Sequence, residues 1–183
     1  MAVVICPIIR EVVEITIGFA VMSLFFSRRF PILYKSPAAL IIGSFFLVEP
    51  IVDIALGTDS TVFEFLGSLL LLLVVEKFIA ANENTSLNVY SVITGALVGV
   101  VAFLATARIP YVHIGTMVTL ALLAFRMGNM VEKVGWGHRE VFGISSLFLF
   151  AGALAFAIGM KLLSSFLYFG GVLLFMLAVL EVR

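Results

Sequence analysis

The sequence consists almost entirely of long apolar stretches separated by very short polar breaks. Each stretch has 17 to 22 residues, and a helix of about 20 residues crosses the roughly 30 Å hydrocarbon core of a bilayer. Hydrophobic residues make up 63% of the 183-residue chain, well above the half that is typical of soluble domains. We therefore predict an all-α, polytopic integral membrane bundle that forms one domain over residues 1–183. The predicted spans lie near 11–27, 37–57, 61–81, 88–107, 110–131, 140–158 and 162–181.

Two of the predicted breaks follow from length alone. Residues 140–181 are almost entirely apolar, and as one helix they would run roughly 63 Å at 1.5 Å per residue, twice the hydrocarbon thickness. The chain must therefore turn, and Gly159-Met160-Lys161 is the only suitable place. The same reasoning divides 88–131 at Arg108-Ile109-Pro110, where the proline favours a helix start. Seven spans follow.

The basic residues predict an orientation. Eight lie in or beside the first, third and fifth connections or at the C-terminus, and three lie on the opposite side. By the positive-inside rule, the side with eight basic residues is cytoplasmic. The N-terminus is then outside and the C-terminus is cytoplasmic; if the first segment only lies in the interface, six spans keep this orientation. The first group is Arg28, Arg29, Lys35, Lys77, Arg126, Lys133, Arg139 and Arg183, and the second is Arg10, Arg108 and Lys161.

Several acidic residues fall inside the predicted spans. Glu49 lies near the midplane, and Asp53 lies one turn further out on the same face. Glu14, Glu64 and the shallower His113 fall in the outer half. Charged groups in hydrocarbon are costly and therefore indicate function, and carboxylates suit proton exchange or cation binding. We hypothesise that these five residues form an intramembrane polar site.

A structural interpretation competes with this hypothesis. Asp53 and Glu64 lie close enough to the outer surface for their side chains to reach water, and Glu14 stands four residues from Arg10, so that the two could pair. His113 follows Tyr111 and is typical of an amphipathic residue at the membrane surface. In the inner half, Glu76 and Arg126 fall at similar depths and are predicted to form a structural ion pair.

The sequence excludes more activities than it supports. It contains no familiar catalytic motif, phosphate-binding loop or cysteine pair, so neither an enzyme nor a cofactor is expected. A formal net charge of zero argues against nucleic acid as a partner, and a metal site stays undecided. We expect a multi-pass protein in contact with the lipid bilayer, in a prokaryotic plasma membrane given its minimal loops. We expect the protein to act as a small cation- or proton-linked transporter or channel. Alternatively, it is a sensor or an accessory subunit of a membrane complex. Whether copies of the chain self-associate stays open.

Overall fold

The computed structural model describes residues 2–26, 40, 43, 44, 46–48, 50, 51, 61–134 and 139–181, and these residues contain helices and turns but no strand. The described residues between 40 and 51 are helical. α1 begins at Ala2, ahead of the predicted first span, because residues 2–9 are also apolar and continue the helix. The complete helices are α1 (Ala2–Phe26), α2 (Thr61–Glu83), α3 (Val89–Thr106), α4 (His113–Val134), α5 (Arg139–Ala157) and α6 (Lys161–Glu181), with a 3₁₀ turn at Ile109–Val112 before α4.

Both breaks that the length argument required are present as defined turns. After α5, Gly159 adopts φ +84°, Met160 N–H donates to Ala155 O (2.8 Å), and Gly159 N–H donates to Phe156 O (3.0 Å). These two bonds form a Schellman motif, which satisfies carbonyls at the helix end and needs a left-handed residue that glycine supplies without strain. After α3, Ala107 occupies the left-handed region at φ 51°, and the 3₁₀ turn then leads directly into α4.

Contacts between neighbouring helices show that they run in alternating directions. In the α5–α6 pair, Ser145 Oγ donates to Gly171 O (2.7 Å), and Ser164 Oγ donates to Gly152 O (2.8 Å). As residue numbers rise on one helix they fall on the other, so the pair is an antiparallel hairpin. Small residues bring α3 and α4 together in the same antiparallel sense, with Gly95 beside Thr119 and Gly99 beside Gly115.

α4 is the central helix of the described bundle. It packs against α2, α3 and α5, while α6 packs against α5 and α1. In the stretch Ile109–Glu132, 72% of the most apolar window is buried, whereas the share in α3 is 11%. α3 turns large apolar side chains such as Leu97 and Leu104 outward. Four helical segments of the described residues are long and apolar enough to cross a membrane, namely Val89–Thr106, Ile109–Glu132, Arg139–Ala157 and Lys161–Ala178.

The contact between α3 and α4 predicts a large difference between two glycine substitutions. A Cβ on Gly115 would come within 2.5 Å of Gly99 Cα and 2.7 Å of the Phe65 ring, whereas a Cβ on Gly143 would meet nothing within 4 Å. We expect Gly115→Ala to destabilise the bundle by about 1–3 kcal/mol through overpacking. Gly143→Ala should be neutral or stabilise α5 by up to about 1 kcal/mol, because alanine is the better helix former.

Thermal unfolding of the two purified variants in detergent provides the measurement. A midpoint for Gly115→Ala equal to that of Gly143→Ala would show that α3 and α4 do not approach each other this closely.

Candidate functional site

A carboxylate, a histidine and a tyrosine meet inside the bundle. Nδ1 of His113 lies 3.1 Å from Oε1 and 3.2 Å from Oε2 of Glu64. The hydroxyl of Tyr168 donates to Oε1 of the same carboxylate at 3.2 Å. Glu64 is 0% exposed, Tyr168 is 1% exposed and His113 is 7% exposed. Three side chains from three helices therefore form one buried polar cluster, called the histidine cluster below.

The direction of the helices explains this meeting. Glu64 lies in the first turn of α2 and His113 is the first residue of α4, and the two helices run in the same direction, since residues near their other ends also pair. α5 is antiparallel to α4, because Phe142 lies beside Gly128 and Phe156 beside His113. α6 is antiparallel to α5 and therefore runs in the same direction as α4, and it brings Tyr168 in from the third side. Aromatic rings surround the imidazole, with ring centroids 5.0 Å away at Tyr168 and 5.7 Å away at Phe156, both edge-to-face.

The geometry of the histidine cluster requires a shared proton. An imidazole nitrogen and a carboxylate oxygen 3.1 Å apart attract each other only when a hydrogen lies between them, either on Nδ1 or on the carboxyl group. A buried carboxylate would be costly without partners, and here His113 and Tyr168 both supply hydrogen bonds to it. The cluster can therefore hold a proton inside an apolar bundle.

The structure contradicts the expected surface position of two of the five candidate residues. Glu64 does not reach the outer surface, because its side chain is fully buried, and His113 is a buried partner of Glu64 rather than an exposed interfacial residue. Their part in an ion site stays a prediction. Glu14 is also fully buried, on α1. Glu49 and Asp53 lie outside the described residues.

Tyr168 was not predicted as a site residue. Its hydroxyl is neutral, so the search for charges inside the spans passed over it. The available signal was a single tyrosine in α6, a helix whose other aromatic residues are phenylalanines. A hydroxyl that is buried in an apolar span needs a hydrogen-bond partner.

A second polar cluster joins α2, α3 and α4 further along the bundle. Nε and Nη2 of Arg126 donate to Oε1 and Oε2 of Glu76 at 2.6 and 3.0 Å. Ser91 Oγ donates to Oε1 of the same carboxylate at 2.7 Å. The structure thus brings together the two residues expected to pair from their equal depth, and adds a serine that sequence reasoning missed. Glu76 is 1% exposed and Arg126 is 25% exposed, so this arginine cluster is largely shielded from solvent.

An apolar layer separates the two clusters. Glu64 and Glu76 are twelve residues apart on α2, which corresponds to roughly 18 Å along a helix. Within this interval the buried hydroxyls of Ser68, Thr116 and Thr119 lie toward the histidine cluster. Beyond them the buried side chains of α2 and α4 are hydrophobic, namely Leu71, Leu72, Val75, Leu120 and Leu123. The histidine cluster therefore has an apolar barrier on the side that faces the arginine cluster.

A shallow groove of about 350 Å³ lies beside the arginine end of the bundle, between α4 and α5. Across it, Arg139 Nη1 donates to Glu132 Oε2 at 2.7 Å; both side chains are about half exposed. It is lined by Phe125, Gly128, Asn129, Glu132, Arg139, Glu140 and Gly143. None of these residues belongs to the histidine cluster, so the groove does not open onto it.

Fold and site define a class: an all-helical bundle with four helices able to cross a membrane and with buried ionisable groups among its helices. Within the described ranges, no group of three or more His, Cys, Asp or Glu residues could hold a metal ion. No protein-family model, curated protein or solved structure matches the chain.

The burial of the arginine cluster predicts that two ion pairs differ in their contribution to stability. Arg126→Ala leaves the buried Glu76 carboxylate without its ionic partner, and such a loss costs about 3–5 kcal/mol. Arg139→Ala removes a half-exposed pair with Glu132, which is worth about 1 kcal/mol or less. Thermal unfolding in detergent should therefore show a large drop in midpoint for Arg126→Ala and almost none for Arg139→Ala.

A double variant provides the control. Adding Glu76→Gln to Arg126→Ala removes the unpaired charge and should recover part of the lost stability. Equal midpoints for the two single variants would contradict the assignment of Glu76–Arg126 as the structural pair.

Proposed function

We propose that the chain is a seven-span protein of a prokaryotic plasma membrane, with its N-terminus outside, that acts as a small proton- or cation-linked transporter or channel. The ion site is the histidine cluster of Glu64, His113 and Tyr168. We propose that Glu14, and Glu49 and Asp53 of the second predicted span, extend this site. No cofactor and no catalytic step are required.

The burial of Glu64 is the observation that carries the proposal. Ionisable groups inside a membrane bundle are costly and mark ion pathways and proton relays. Glu64 is fully buried and faces a histidine, the residue whose ordinary titration range is closest to physiological pH. A site that only bridged helices would need no titratable histidine, since a neutral hydrogen-bonding side chain can do the same.

The apolar layer between the two clusters also supports transport. A transporter has to open its site to one side of the membrane while the other side stays closed, and many folds place that site between helices near mid-membrane. Leu72 and Leu123 are buried at 0% and 1% exposure in this layer. They would close the route from the histidine cluster toward the side that we propose is cytoplasmic.

The proposed orientation predicts opposite labelling at two short connections. Ser86 follows α2 and Lys161 begins α6, and both are exposed. In a Cys6→Ser background without native cysteine, Lys161→Cys should react with a membrane-impermeant thiol reagent in intact cells. Ser86→Cys should react only after the membrane is opened. Labelling of Ser86→Cys in intact cells would overturn the orientation.

The proposed ion site predicts loss of flux in one glutamate variant and not in another. Glu64→Gln keeps the shape of the side chain and removes its titrating proton, so flux in proteoliposomes with proton- and cation-sensitive dyes should fall to that of empty liposomes. Glu49→Gln should do the same if Glu49 extends the site. Glu140→Gln changes an exposed residue at the start of α5 and should keep wild-type flux. Undiminished flux in a folded Glu64→Gln variant would contradict the proposal.

One observation favours a second function, that of a sensor or accessory subunit of a membrane complex. α3 buries only Ser91, Gly95 and Gly99 and leaves most of its large apolar side chains exposed, a face that another membrane protein could cover in place of lipid. In that case Glu64, His113 and Tyr168 hold helices together without passing an ion. Absence of flux of every ion tested, with folded protein, would favour this function over transport.

A further inference from the structure

We propose that the ion bound by the histidine cluster is a proton rather than a metal cation, and that Glu64 and His113 bind it jointly as a pair. This inference rests on the proposed function and names its ion. It follows from the donors and acceptors of the cluster, from its surroundings and from its isolation by the apolar layer.

The number of protons in the pair follows from its geometry. With the distances of 3.1 and 3.2 Å from Nδ1 to the two carboxylate oxygens, one proton always lies between His113 and Glu64. The pair with this single proton has a net charge of −1. A second proton, on Nε2 of the imidazole or on the carboxyl group, makes the pair neutral. Loading takes one proton from water and unloading returns it, so no other reactant is needed.

The surroundings favour the neutral, loaded pair. A net charge in an apolar interior is costly, whereas a compensated pair is much less so. The ring of Phe156 on α5 is apolar, and Tyr168 on α6 presents a neutral hydroxyl. Among the described residues, the buried carboxylates on a neighbouring element are Glu11 and Glu14 of α1, which packs against α6.

The same atoms are poorly arranged for a metal cation. Hard cations bind directly to carboxylate oxygens, and the oxygens of Glu64 are already engaged in the histidine cluster. Both Glu64 oxygens already interact with His113, and Oε1 also accepts from Tyr168. A cation would have to displace the imidazole from the carboxylate, whereas a proton strengthens that contact.

Another buried hydroxyl lies on α4 next to the histidine cluster, on the side that faces the apolar layer. Thr116 lies three residues after His113, on the same face of α4. It is fully buried, and its Oγ1 has no hydrogen-bond partner among the described residues. A hydroxyl can both accept and donate a proton, so Thr116 continues the polar face of α4 from His113 toward the apolar layer.

The two histidines of the chain allow a direct test. His138→Gln leaves His113 as the only histidine, so that ¹⁵N-histidine NMR of the purified protein in detergent reports on this side chain alone. We expect Nδ1 to keep its proton throughout, and the imidazole signals to report uptake of one proton as pH falls. Added Na⁺, K⁺ or Mg²⁺ should not change the pH at the midpoint of this proton uptake.

Two further variants should move this midpoint in opposite directions. Glu64→Gln removes the negative partner of the imidazolium and should lower the pH at which the proton is bound. Tyr168→Phe removes a hydrogen-bond donor to the Glu64 carboxylate. Because the carboxylate then attracts the proton more strongly, the pH at which the proton is bound should rise. Opposite shifts would show that both side chains act on the same bound proton. Signals that do not titrate, or a midpoint that depends on the added cation, would overturn the inference.

Ion flux into proteoliposomes separates the inference from the proposed function. Proton flux that needs no added metal cation supports both. Flux of a metal cation without protons supports transport and overturns the proton assignment. A titrating His113 in a protein that moves no ion overturns transport and supports proton binding, now as the trigger of a sensor.

Discussion

Satisfying polar groups without water is the constraint on which this structure depends. Backbone N–H and C=O groups in hydrocarbon bond within their own segment, which favours helices and leaves side chains to distinguish one helix from another. Buried charged side chains then have only other side chains as partners. Glu64 is bound by His113 and Tyr168, and Glu76 by Arg126 and Ser91. The two clusters are direct consequences of this shortage of partners.

These polar contacts fix relations between helices that apolar packing leaves undetermined. The hydrophobic effect supplies little force between helices that are already in lipid, so small residues and hydrogen bonds decide which faces meet. α3 and α4 meet through Gly99 and Gly115, and α5 and α6 through serine-to-carbonyl bonds. α2 and α4 are joined near both ends by ionisable pairs instead. A change of charge in one pair therefore acts directly on the contact between these two helices.

Sequence reasoning succeeded where depth and length are sufficient. The turn at Gly159 followed from helix length, and the meeting of Glu76 with Arg126 from equal depth along neighbouring spans. It was less successful with His113, for which a place in the polar site competed with an interfacial position, because depth does not say which way a side chain points around its helix. The direction comes from packing, which puts α4 in the centre and turns His113 toward Glu64. Tyr168 and Ser91 were missed because neutral hydroxyls stand out from an apolar span only when their partners are known.

The two clusters have the same kind of acceptor and differ in their donors, and this difference underlies the different roles that we propose for them. Arg126 keeps its protons under all ordinary conditions, so Glu76 faces a permanent cation through two parallel hydrogen bonds. Such a pair holds α2 and α4 together but has no proton to exchange. In our proposal His113 gains and loses a proton while it stays in contact with Glu64. Of the two buried carboxylates on α2, we therefore assign exchange to the one that faces histidine and support to the one that faces arginine.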